Sequence, residues 1–256
     1  MDAHVLTFAT HKEGTFDDII NNKFNIPIKV LGYGQKWTGF RMKFDYVYDY
    51  IQDLNDNEIV FFIDGFDSYI NGDLDVAVER FKNMNETVVF SLQNPISAIF
   101  PLELNKILVK NAFGSCHNGL IANSGLYVGY VKYLKIFLKE AVLQKCNDDQ
   151  RNLNTLCKKY DFIKVDRDNK IFKNISNITE LEKSNAIFVQ FPGTPSFNRI
   201  TRGIFEYIQF VLVYFILLFL IILIYIFMYV KKPFYYYLIT LIIYIYLLFT
   251  IDKSCL

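Results

Sequence analysis

The chain has 256 residues and a formal net charge of +1, which leaves room for one sizeable domain plus extras and offers no basic field for nucleic acid. Hydrophobic residues make up 52% and aromatics 17%, an excess over ordinary soluble domains that sits in the last fifth of the sequence.

Residues 4–9 read as a first strand, followed by the polar loop 10–14. Residues 27–31 form a second short strand running into Gly32-Tyr33-Gly34. Phe40, Phe44, Val47, Tyr48, Ile51 and Leu54 recur at helical spacing, which predicts an amphipathic helix. Residues 59–63 are a short run of branched and aromatic side chains, the pattern of a fully buried strand. The run ends in Asp64-Gly65-Phe66-Asp67. A helix over 74–84 and a strand over 87–91 follow. Residues 121–129 read as strand, turn and strand, with Asn123-Ser124-Gly125 at the turn. Asn147-Asp148-Asp149-Gln150 sets two adjacent acids before a helix, and Lys164-Val165-Asp166 closes another short strand. Strands alternating with helices predict an α/β domain over residues 1–200 with a mixed, mainly parallel sheet flanked by helices.

Asp64 and Asp67 are the first chemical lead. In an open α/β sheet, ligands sit beyond the carboxyl ends of the strands. Two acids there cost free energy unless a cation shares the site. A hard divalent ion with oxygen ligands meets that need, and such an ion commonly holds phosphates. The competing reading is an Asp-rich turn, in which the side chains bond their own backbone.

The C-terminal part reads differently. Residues 207–230 contain no charge, long enough for a helix of about 36 Å. Lys231-Lys232-Pro233 interrupts, and 234–251 give about 27 Å more. Two C-terminal transmembrane helices are therefore expected over 204–230 and 234–251, forming a hairpin. The first ten residues hold neither a basic n-region nor an apolar core, so the polar domain is expected on the cytosolic side of an integral membrane protein. The three Asn-x-Ser/Thr matches at Asn85, Asn174 and Asn177 are then expected to stay unmodified. Cys116, Cys146, Cys157 and Cys255 show no C-x-x-C pair, and reduced thiols are the expectation. His4, His11 and His117 stand isolated in the sequence.

Taken in order, several segments resemble the glycosyltransferase domain of the procollagen lysyl hydroxylase and collagen glycosyltransferase group, related domains of which occur in giant DNA viruses. They are Ala9-Thr10, Leu31-Gly32-Tyr33-Gly34 with Trp37-Thr38-Gly39, Phe62-Ile63-Asp64-Gly65-Phe66-Asp67, Asn123-Ser124-Gly125, Asp148-Asp149-Gln150, and Asp166 with Ile171-Phe172. The resemblance covers about residues 3–195. It implies a GT-A fold, a UDP-sugar donor and a Mn²⁺ or Mg²⁺ ion. By the same resemblance, Asp64 and Asp67 would hold the metal and Phe66 would lie against the uracil, where the family usually has Tyr. Lys43 would reach a phosphate; by residue type alone it reads equally as a solvated lysine on its helix. Asn123, Ser124, Gly125 and Gln150 would contact the sugar. Asp148 and Asp149 would orient sugar hydroxyls, one of them taking the acceptor's proton, although Asp is also favoured as a helix N-cap. The family's C-terminal metal-binding His corresponds to Gln190 here, in Val189-Gln190-Phe191-Pro192-Gly193. A neutral amide oxygen suits Mn²⁺ less well than imidazole.

Three functions compete at this level. The first is a membrane-anchored transferase that moves glucose or galactose to a hydroxyl acceptor, such as hydroxylysine of a collagen-like protein or a glycan, in a host or virion membrane. The second is a catalytically degenerate domain used as a membrane-tethered binding module, which Gln190 favours and the intact acids oppose. The third is a small channel, which lacks support because neither apolar run holds an ionisable residue.

Overall fold

A computed structural model of the chain describes residues 2–93, 110, 113–175 and 177–192, together with Phe219, residues 221–223, Tyr225 and Leu241. The chain divides into two compact units, Met1–Thr194 and Pro195–Leu256. Nearly all of the second lies outside the described residues, so the fold described is that of the first.

Six strands build the main sheet: β1 (Ala3–Phe8), β2 (Ile28–Leu31), β3 (Ile59–Asp64), β5 (Val88–Leu92), β6 (Ala122–Tyr130) and β7 (Ile163–Asp166). Their order is β2-β1-β3-β6-β5-β7. All neighbours are parallel except β6, which runs antiparallel to both β3 and β5. A second sheet of three strands, β4 (Ser68–Ile70), β9 (Phe188–Gln190) and β8 (Phe172–Asn174), lies in that order. Among the described residues of this unit, the longer helices are α1 (Phe16–Ile20), α2 (Met42–Ile51), α3 (Leu74–Met84), α4 (Val131–Ala141) and α5 (Asp149–Lys159).

The unbroken apolar run of β3 follows from burial on both faces. Val60 and Phe62 belong to one core with Phe44 of α2, Phe137 of α4 and Leu153 of α5. Ile59, Phe61 and Ile63 belong to the other, with Ile19 of α1, Phe81 of α3 and Phe188 of β9. Period-two alternation thus sends successive side chains into two separate cores.

The expected turn at Asn123-Ser124-Gly125 is absent. The segment is the start of one continuous strand, and Asn123 and Ser124 are buried within it. The irregularity sits on the partner instead, where the register with β6 shifts between Phe90 and Ser91. Small polar residues usually signal turns; here they are buried residues at the start of a central strand, beside polar partners.

Two further expectations are corrected. The expected reduced state fails, because Cys116 and Cys157 form a disulfide, with Cα atoms 5.1 Å apart, and no cysteine among the described residues is free. The two C-terminal spans are not supported, and with them falls the integral membrane hairpin. No helix among the described residues is long and apolar enough to cross a membrane. A crossing needs about 20 consecutive helical residues. Within both runs the described helical residues are only Phe219, 221–223, Tyr225 and Leu241; the rest of the runs lies outside the described residues.

Candidate functional site

Topology gathers the site. Because β6 runs against β3, its first residues lie beside the last residues of β3, with Ile63 paired to Leu126. Asp64, at the end of β3, is paired with Phe8 at the end of β1. The carboxyl edge of β1 and β3 and the start of β6 therefore share one rim.

Lys43 enters this rim from α2. The side chain is only 7% exposed, so the solvated-lysine reading fails. Its Nζ donates to Asp64 Oδ2 at 3.0 Å and lies 2.7 Å from Asp149 Oδ2. Burial pushes the Lys43 ammonium down, and the charges of Asp149 and Asp64 more than reverse this, so its pKa ends above the ordinary lysine value. The cation that the Asp64 carboxylate requires is thus already supplied by the chain.

The two adjacent acids divide their work. Asp148 is the N-cap of α5, and its Oδ1 accepts from the backbone N–H of Arg151 at 2.6 Å. Burial, and then the charge of Asp149, push Asp148 up to about 7, against the pull of the Arg151 N–H and of Lys43. Asp149 is the first helical residue, and it turns to Lys43. Its other oxygen accepts from the backbone N–H of Gln150 at 2.9 Å.

The loop before α5 is clamped to the entry of α2. Asn147 Nδ2 donates to the Thr38 carbonyl at 3.0 Å, the Arg41 N–H donates to the Asn147 carbonyl at 3.0 Å, and Arg41 Nη1 donates to the Gln144 carbonyl at 2.6 Å. Gly39, at φ +139°, allows this approach, because a Cβ there would run into the Asn147 side chain. The Trp37-Thr38-Gly39 segment therefore sets α5 against α2, which is what brings Asp149 to Lys43.

Asp67 follows in the turn from β3 to β4. Gln190 Nε2, from β9, donates to Asp67 Oδ1 at 2.8 Å. Gln190 is 3% exposed, and its Oε1 has no hydrogen-bond partner among the described residues. The carboxamide crosses β6 directly over Gly125, where any Cβ would collide with it. The Gly of Asn123-Ser124-Gly125 is thus explained by the close approach of Gln190.

Beside these charges lies an amide cluster. Asn123 Nδ2 donates to Gln93 Oε1 at 2.7 Å and to Gln150 Oε1 at 3.5 Å. Gln150 Nε2 donates to the same Gln93 oxygen at 3.1 Å, and Asn123 Oδ1 accepts from the Gly125 N–H at 2.7 Å. Phe66 is half-buried in the turn after β3, its ring centroid 5.3 Å from that of His11.

All eleven residues singled out in the sequence have a described position. Lys43, Asp64 and Asp149 are joined, Asp67 is joined to Gln190, and Asn123 is joined to Gln150. Asp148 and Phe66 make other contacts.

Gln93 and Asn154, which the sequence does not mark out, also build the site, and Asp166 and His117 take up specific places near it. Gln93 anchors the amide cluster. Asn154 is fully buried and ties α5 to β6, accepting from Ala122 N at 2.8 Å and donating to Ala122 O and Gln150 O at 2.9 Å each. Its spacing of four from Gln150 was the available signal. Asp166 is fully buried and accepts three backbone N–H groups, from Lys170 at 3.0 Å, Ile171 at 2.8 Å and Phe172 at 2.9 Å. It fixes the turn from β7 to β8. His117 is less isolated than its sequence position indicates, since its ring and the sulfurs of Cys116 and Cys157 lie within 4.8 Å of one another.

The profile of the family described as the PLOD GT domain matches residues 1–187. Procollagen-lysine,2-oxoglutarate 5-dioxygenase 2 of Mus musculus is 26% identical over 161 residues, covering 57% of this chain and 21% of that protein. The Homo sapiens protein of the same name is 27% identical, with the same coverage. The chain spans about a fifth of the length of these curated relatives. Among solved structures, a glycosyltransferase involved in the glycosylation of the major capsid of PBCV-1 aligns with a TM-score of 0.46 and 14% identity, over 79% of this chain and 97% of that one. A197 from STIV aligns with a TM-score of 0.35 and 13% identity, over 55% of this chain and 68% of that one. With the profile spanning 187 of its 256 residues, this chain belongs to the PLOD GT domain family, the glycosyltransferase domain of the procollagen lysyl hydroxylase group.

Proposed function

We propose that this domain transfers glucose or galactose from a UDP-sugar to a hydroxyl acceptor, with hydroxylysine of a collagen-like protein as the leading acceptor class and a glycan as the other. One observation carries the proposal: a buried ammonium, Lys43, shared by Asp64 and Asp149 directly beside the Gln93, Asn123 and Gln150 amides. A diphosphate needs positive charge, and a hexose needs amide and carboxylate partners. Both kinds of group stand on the same rim.

Asp64, Asp67 and Gln190 present oxygen ligands, the donor set of a hard divalent cation. The buried Gln190 Oε1 without a partner fits that role. These three residues would hold Mn²⁺ or Mg²⁺, which when bound supplies Lewis-acid stabilisation of the departing diphosphate. Lys43 adds a fixed charge toward the phosphates. Phe66 offers a ring face to the uracil; stacking survives the family's Tyr-to-Phe change, whereas a phenol hydrogen bond does not. Asn123, Ser124, Gly125 and Gln150 hold the sugar, and Asp149 orients its hydroxyls. Asp148, held near 7, has the affinity for a proton that a general base needs, and it takes the acceptor's proton.

A second reading is favoured by one contact. By the resemblance, Gln190 takes the place of a metal-binding His, and it spends its amide N–H on Asp67, which suits a domain that binds a nucleotide-sugar without turning it over. The deciding experiment gives the full chain UDP-glucose or UDP-galactose with free hydroxylysine as acceptor, with and without Mn²⁺, and reads both donor binding and released UDP, the hexose passing to hydroxylysine or to water. Release supports the transferase. Binding without release, across both donors and both metal conditions, supports the binding module.

A further inference from the structure

Asp64 is claimed by two cations. Its Oδ2 accepts from Lys43 Nζ at 3.0 Å. The proposed divalent ion requires the same carboxylate. The side chains of Lys43, Asp64 and Asp149 are 7%, 17% and 5% exposed, so little water screens the contest. A dication approaching Asp64 meets an ammonium at hydrogen-bonding distance in a poorly screened site, where like charges repel strongly.

Resting on the nucleotide-sugar reading above, we propose that Lys43 is a positioning residue that couples the divalent ion to the diphosphate: its ammonium holds Asp64, and it turns to the diphosphate when the donor arrives, releasing Asp64 to the ion. The geometry suits an exchange of one partner. Asp149 Oδ2 lies 2.7 Å from the same Nζ and keeps the ammonium anchored while the Asp64 contact is lost. An ammonium carries three donors on a flexible stem and can trade one without surrendering the others. Asp67 is held in parallel by the Gln190 amide at 2.8 Å, so both carboxylates of the proposed ligand set are engaged by nitrogen donors before any ligand binds. Only the Lys43 contact carries a charge that opposes the ion. A diphosphate supplies the negative charge that lets both cations stay.

The test is Mn²⁺ binding to the full chain, read from the electron paramagnetic resonance signal of free Mn²⁺, with and without saturating UDP. The wild type is expected to bind Mn²⁺ at least about 10-fold more tightly with UDP present, and UDP more tightly with Mn²⁺ by the same factor. Lys43→Met is expected to bind Mn²⁺ alone at least about 10-fold more tightly than the wild type, within the usual range of coupling between sites. A lysine that merely touches a phosphate would leave Mn²⁺ affinity unchanged when UDP is absent. Lys43→Met also strands Asp149, so Lys43→Met with Asp149→Asn carries the same expectation should the single variant not fold. Equal Mn²⁺ affinity of the wild type and a folded Lys43 variant without UDP overturns the coupling. So does a wild type that binds Mn²⁺ as tightly without UDP as with it. Failure of the underlying reading has another signature: no UDP bound by any variant, with or without Mn²⁺.

Discussion

Lys43 and Asp149 meet at 2.7 Å although they come from different helices, and the same ammonium reaches Asp64 at 3.0 Å on the central sheet. One buried cation therefore ties α2 and α5 to the end of β3. Removing one partner of a buried pair costs more than the pair contributes, because the remaining charge is left unpaired. Lys43→Met is expected to destabilise the domain by about 3–5 kcal/mol. Adding Asp149→Asn is expected to recover part of that loss, a non-additive cycle readable from urea unfolding. Additive effects would show that the two side chains do not share a charge.

Asp148 gives the fold a pH dependence of definite sign. Its folded pKa is raised from 3.8 to about 7, so the folded state holds a proton that the unfolded chain releases. Stability from this group is then greatest below pH 4 and falls as pH rises toward 7. The displacement caps the loss at about 4 kcal/mol. Asp148→Asn keeps an N-cap of equal rank and is expected to remove this component, leaving a flatter stability profile between pH 4 and 7. An unchanged profile would place the titration elsewhere.

Asp166 is expected to act on structure. Its fully buried carboxylate accepts from the backbone of Lys170, Ile171 and Phe172. Asp166→Ala strands those donors and is expected to cost about 3 kcal/mol or more. Asp166→Asn is expected to cost less. Thermal melts of the two variants decide it; an alanine variant that melts with the wild type would contradict the anchoring role.

The Cys116–Cys157 disulfide spans 41 residues. Chain-entropy reasoning gives a loop of that length about 4 kcal/mol of stabilisation. It also pins α5, the helix that carries Asp148 and Asp149, to the segment before β6. A reducing agent, or a double Cys→Ser variant, is expected to lower the urea midpoint accordingly. No change on reduction would show that the bridge is dispensable.

Much of this was legible in the sequence, for identifiable reasons. The run ending in Asp64 could be read as a doubly buried strand because apolar side chains fill both alternating faces. The helix expected over 74–84 has the bounds of α3. Asp148 could be read as a cap, and it is one. Asn123-Ser124-Gly125 misled because small polar residues look the same in a turn and on a buried strand whose partners come from distant Gln93 and Gln150. Lys43 stayed open between two readings because helical period places it on a face without revealing which acids the fold brings there; its burial removes the solvated one. The disulfide joins residues with no motif between them, so only the fold could reveal it. The apolar C-terminal runs show composition and length alone, and the described residues contain no helix able to use them as spans.

The central claim is that the rim around Lys43 turns over a UDP-sugar, and UDP release by the full chain tests it most directly. The wild type is expected to release UDP from UDP-glucose or UDP-galactose in the presence of Mn²⁺. Asp64→Asn and Asp149→Asn are each expected to lower that rate by about 100-fold, as removal of a charge-stabilising group at a reacting centre does. Release that survives both substitutions in the folded protein, or a wild type that neither binds nor cleaves either donor, would contradict it.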